Sequence, residues 1–226
     1  MSRVVALARM RCGAYARSQR AYPPAVAALV AVLMAHTGGP SRPDLTFAFS
    51  AALLFGVFAW QTKLVLDAEP DTQRLLSRVA VGSGRREQVA GLLAAGVAAV
   101  PLVAVAVVMP LFAGVLGAPT RHLLPWLPFG LWIHVLAAVA GVGVGALASR
   151  VVAGARGRSA TTLLGGFVLV LVLGSRDTIA VRWLVPQLLG ADGTGGVGMV
   201  GLITVHTLLW TGLVLAVYVG LRRTRP

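Results

Sequence analysis

The sequence predicts an all-α polytopic membrane protein. Three observations carry that prediction: an apolar composition, a series of uncharged windows long enough to cross a bilayer, and an alternation of arginine between the loops joining them. The 226 residues are 57% hydrophobic and 12% charged, with a mean hydropathy of +0.83, against about 45–50% and about 25% in soluble domains. An ordinary soluble fold is excluded, because it needs a polar exterior that this chain does not have. The net charge of +13 is then read as topology and not as nucleic-acid binding, since the arginines fall between apolar runs.

Asp, Glu, Lys and Arg are absent from the windows 21–41, 45–62, 88–120, 122–149, 159–175 and 193–221. About 20 apolar residues cross a hydrocarbon core of about 30 Å. Six windows therefore predict six transmembrane helices, at about 22–37, 45–64, 88–115, 125–148, 159–175 and 197–221. They form one domain, 21–226, behind a basic N-terminal segment, 1–20.

Each connection supports this division. The N-terminal segment holds five basic residues, the 63–87 loop five, the 150–158 loop three and the C-terminus three, while the alternate loops hold only Arg42, Arg121, Arg176 and Arg182. Sixteen against four places both termini and the 63–87 loop in the cytoplasm of a multi-pass protein of the cell membrane, by the positive-inside rule. Within the third window Pro101, Pro110 and Pro119 predict a long helix that bends or stops early. The fifth window is short, about 25 Å at 1.5 Å per residue. The stretch "RDTIAVRWLVPQLLGADGTGGVG" (176–198) mixes apolar and polar residues, which predicts a re-entrant element at the outer face.

Little in the spans suggests catalysis. The six predicted spans contain only three histidines, His36, His134 and His206, and a lone histidine in a helix is most simply a hydrogen-bonded packing residue. No metal-ligand cluster, catalytic constellation or G-x-x-x-x-G-K-[ST] phosphate loop is present, so the chain is expected to be no enzyme and to bind no cofactor itself. Cys12 is the single cysteine and predicts a reduced thiol. Gly141 and Gly145 have the G-x-x-x-G spacing of a close helix contact, within the bundle or at a dimer seam.

One passage breaks the apolar pattern. "LVLDAEPDTQRLLSRVAVGSGRREQVAG" (64–91) carries four of the seven acidic residues. Asp67, Glu69 and Asp71 lead, Pro70 stands beside the start and Gly82 follows the end, which predicts a helix over 67–81. Leu75, Leu76 and Val79 share one face, with Gln73, Arg74, Ser77 and Arg78 elsewhere. Basic residues alone would fix topology. Acids ahead of an apolar stripe fit a surface offered to a protein partner.

With that helix, six spans, cytoplasmic ends, the basic segment Arg3 to Arg20, "GRREQVAGLLAAGV" (84–97) and a short fifth span before a re-entrant element, the chain resembles the ABC-2 type transporter permeases. The resemblance implies that the loop between spans two and three is a coupling helix docking on an ABC ATP-binding subunit, through Asp67, Glu69, Asp71, Gln73, Arg74 and Arg78, with Leu75 and Leu76 as packing anchors. It implies an amphipathic N-terminal helix on the inner leaflet with Val4, Leu7 and Met10 toward the lipid. Two ATPase copies, carrying ATP and Mg, would serve two six-span halves, identical or related, exporting an amphiphilic or hydrophobic cargo such as a lipid, peptide or antibiotic-like molecule. The alternative is a non-transporting membrane scaffold or assembly factor recruiting a cytoplasmic partner through the same helix.

Overall fold

The computed structural model describes residues 2–36, 42–113, 123–175, 184–189, 191 and 196–223. Among them the chain is helical, without strands: α1 (Arg3–Arg17), α2 (Tyr22–His36), α3 (Pro43–Leu66), α4 (Asp71–Val81), α5 (Gly84–Ala113), α6 (Leu127–Leu147), the single turn α7 (Arg150–Ala153), α8 (Arg156–Gly174) and α9 (Gly196–Arg223). Five stretches are long and apolar enough to cross a membrane: Pro43–Leu66, Gly84–Phe112, Leu124–Ala153, Gly157–Gly174 and Gly196–Arg223. The first of the six predicted spans is helical, but α2 has 15 residues, about 22 Å, shorter than a hydrocarbon core of about 30 Å. It packs antiparallel beside α3. Near its start the Arg20 guanidinium donates to Asp67 O, just past the end of α3, and at its own end His36 meets Phe47, one turn into α3.

The centre of the bundle is the pair α3 and α6, each with 67% of its apolar stretch buried, against 11% for the stretch in α8 and 22% for that in α9. Phe47, Leu54, Phe55 and Phe58 fill the core from α3, and Ile133 enters it from α6. Gly141 and Gly145 sit where the two helices cross. A Cβ on Gly141 would lie 2.7 Å from Phe58 Cβ, and one on Gly145 would lie 2.6 Å from Thr62 Cβ and run into Ala59 O. The G-x-x-x-G spacing is thus a contact within this chain, where missing side chains let two backbones approach. His134 Nδ1 donates to Gly130 O (2.7 Å), leaving Nε2 to accept at 3.0 Å from Ser50 Oγ, so this histidine is a fully satisfied packing residue.

α5 continues through Pro101 and Pro110 for 30 residues. Of the stretch 176–198, residues 176–183, 190 and 192–195 lie outside the described residues, as do Arg121 and Arg225. In the described part Val185, Leu188 and Ala191 are buried in the main core, whereas Leu184 and Val197 are exposed, and Trp210 of α9 donates to Leu184 O at 3.0 Å.

Candidate functional site

Where α3 leaves the core, the chain makes a charged platform. Asp67 caps the helix end and takes Lys63 Nζ at 2.8 Å, an i,i+4 pair, while its other oxygen accepts from the Arg150 backbone N–H at 2.8 Å. Pro70 stands at the N-cap of α4, where its lack of an N–H costs nothing. Gly82 ends α4 in the left-handed region, φ +82°, which glycine adopts without strain. Helix α4 therefore begins at Asp71, and the acids Asp67 and Glu69, predicted to lead it, lie in the turn before it.

The orientation of α4 reverses the usual amphipathic arrangement. Arg74, Ser77 and Val81, spaced three to four residues apart, face the rest of the chain, whereas Leu75, Leu76 and Val79 point outward at 59%, 71% and 80% exposure. Polar groups can take the inner face because acceptors wait there. Ser77 Oγ donates to Glu69 Oε1, and Arg74 Nη2 donates to Leu66 O at 2.7 Å. Among the described residues the apolar stripe is left largely uncovered.

Beneath α4 lies a buried ion network that joins distant parts of the sequence. Arg11, 5% exposed in the middle of α1, pairs through Nη2 with Glu69 and with Glu87 at 2.6 Å, and donates through Nε to Glu69 at 3.0 Å. The second oxygen of Glu87 takes Arg222 Nη2 at 3.0 Å, and Arg222 Nη1 donates to the Tyr218 hydroxyl at 3.0 Å. Two carboxylates and two guanidiniums thus bind α1, the α3–α4 turn, α5 and α9 together. Burial opposes the charge on Arg11, but Glu87 and Glu69 outweigh it and raise its pKa. Each ion is fixed by a neighbour of opposite sign, the condition under which buried charge is tolerated.

The structure assigns the expected docking residues unequally. Asp71, Gln73, Leu75, Leu76 and Arg78 are on the surface of α4. Glu69 and Arg74 are buried within the chain, and Asp67 is occupied by Lys63 and Arg150. The sequence reading did not single out Arg11, Glu87 or Arg222. A signal for Arg11 was present, since it lies four residues from both Leu7 and Tyr15 on the buried stripe of α1. Val4 and Leu7 pack inward with that stripe, while Met10 remains exposed.

Cys12 is half-buried on α1, and its Sγ lies 3.3 Å from Ala94 O. Burial raises its pKa, and only the thiolate is nucleophilic. Maleimide labelling of the folded protein at pH 7.5 is therefore expected to be slow relative to the unfolded chain, and to keep accelerating with pH beyond the range where a free thiol levels off. Equal rates in both states would contradict the placement.

Among the described residues no group of three His, Cys, Asp or Glu side chains is placed to hold a metal ion. No known protein family, curated protein or solved structure matches the chain.

Proposed function

We propose that this chain is the membrane-spanning subunit of an ATP-driven exporter, with α4 as the helix on which a separate ATP-binding subunit docks. The observation that carries the reading is the exposed Leu75, Leu76 and Val79 stripe on a helix whose other face is held by Glu69 and Leu66. A stripe of that kind in the cytoplasm is suited to a protein groove. Its bracing lets a push on α4 reach α1, α5 and α9 through Arg11, Glu69, Glu87 and Arg222. The sequence contains no phosphate-loop motif, so ATP and Mg would belong to the partner.

Parity supports six crossings. Arg11 and Arg222 hold the same carboxylate, so the chain between them starts and ends on one side and crosses an even number of times. Five long helices leave one crossing to α2, which packs antiparallel beside α3. The sixteen-to-four arginine and lysine distribution puts the shared end in the cytoplasm. The buried Val185 and Leu188 favour a re-entrant outer element. In this reading two six-span halves, identical or related, enclose a path for an amphiphilic or hydrophobic cargo, since the described core offers it aliphatic and aromatic walls.

Affinity purification from the native membrane should recover an ATP-binding cassette subunit. Recovery of other partners alone would move the reading to a membrane scaffold, and recovery of none would end it. Leu76→Glu together with Val79→Glu changes only exposed side chains, and is expected to release the ATPase at least about tenfold more readily while leaving thermal stability within about 1 kcal/mol of the parent. An unchanged complex would exclude this face.

A further inference from the structure

Beside the ion network, α4, the start of α5, α7 and the end of α9 line a half-open cleft of about 480 Å³, within the range of small-ligand sites of about 300–1,000 Å³. Arg74, Arg78, Arg150 and Arg222 line it, with Asp71 as the single carboxylate and Gln88 beside them. The acids do not match the cations. Arg222 is answered by Glu87 at 3.0 Å and Arg150 by Asp71 at 3.1 Å, while Arg74 shares the same Asp71 oxygen at 3.6 Å. Arg74 makes one hydrogen bond, to Leu66 O, although a guanidinium carries five donors. The Arg78 side chain makes neither a hydrogen bond nor an ion pair with any described residue, and its guanidinium folds back over Gly84.

A surplus of positive charge is therefore gathered around a half-open cleft. Burial, and then the charges of Arg222 and Arg11, lower the pKa of Arg74 against the pull of Glu87 and Asp71, so the surplus is felt at the side chain that lies deepest. Buried cations without matching anions are costly, and planar guanidinium forks suit the oxygens of a phosphate. The cavity also sits where α5 and α9 leave their apolar stretches, the depth at which lipid headgroups lie, and basic pockets between helix ends take anionic headgroups.

We propose that this cavity binds a phosphate group, carried by an anionic phospholipid of the adjacent leaflet or free in solution. The inference is independent of the transport reading, since it needs no partner subunit and no crossing count.

The test is a titration of the detergent-purified full chain with phosphatidylglycerol, phosphatidylcholine and inorganic phosphate, with occupancy read by native mass spectrometry. Phosphatidylglycerol is expected to bind saturably and phosphatidylcholine weakly. Arg78→Gln with Arg150→Gln should weaken the anionic lipid about 30-fold, at the usual contribution of a basic residue near a membrane surface. Arg85→Gln with Arg223→Gln, exposed arginines outside the cavity lining, should change it less than about threefold. Arg78→Gln alone, which removes a side chain with no partner, should cost about fivefold and guards against misfolding of the pair. Saturable, arginine-dependent binding of inorganic phosphate without the lipid would uphold the site and assign it to a soluble ligand. Equal binding of both lipids without phosphate binding, or equal losses in cavity and control variants, would overturn it.

Discussion

Glu87→Ala is expected to cost about 3–5 kcal/mol of stability, the usual penalty for removing one partner of a buried ion pair. The loss exceeds that of the contacts themselves because two guanidiniums, on Arg11 and Arg222, would remain buried with one remaining carboxylate, Glu69, on Arg11 alone. Thermal unfolding of the solubilised protein should show a midpoint lowered by at least about 6 °C on the scaling for chains of this size. Glu87→Gln should be nearly as damaging, since the amide keeps the shape and loses the charge. Adding Arg222→Met to Glu87→Ala should recover part of the loss by removing an unanswered cation. A midpoint within a degree of the parent for the single variants would show that water reaches the network.

The second large effect is expected at Gly145. Gly145→Val places a branched side chain against the α3 backbone at Ala59 and against Thr62 Cβ at 2.6 Å, and a backbone carbonyl cannot swing aside as a side chain can. The two central helices must separate, at a cost of about 3 kcal/mol, the upper part of the overpacking range. Gly96→Ala supplies the contrast, since nothing lies within 4 Å of its Cβ and alanine favours the helix by about 1 kcal/mol. The pair separates steric contact from helix propensity when unfolding midpoints are compared. Oligomeric state should not change with Gly145→Val, because the seam it disturbs lies inside one chain.

The sequence made the helices legible because their signal is repeated many times: each apolar residue adds to the same window, and Pro70 and Gly82 mark the ends of α4, although Pro101 and Pro110 do not end α5. It made the G-x-x-x-G contact legible as a spacing, though which helix fills the groove is a tertiary fact. The polar insert was legible as a helix with its stripe correctly grouped, though not in the way its polar face turns inward. Periodicity reports that Leu75, Leu76 and Val79 share a side, and in water that side would be buried. Here the competing side carries Arg74 and Ser77, with Glu69 and Leu66 O ready to accept, so the polar face takes the interior and the apolar face is left to the surroundings. The ion network was not legible, because Arg11, Glu69, Glu87 and Arg222 are single letters with no shared spacing, and in a positive-inside count arginines are markers of side rather than partners in a contact.

The ion network also sets an order of events during synthesis. Glu87 and Arg222 are 135 positions apart, which a ribosome covers in about 7–27 s at about 5–20 residues per second. Arg11 and Glu69 precede Glu87, so their three-way contact can form while the later helices are still being made. Arg222 arrives last and closes onto a carboxylate already half-engaged. A nascent chain stalled before that point would carry a buried acid lacking its second cation, a difference that a membrane protease sampling loose α9 segments could read.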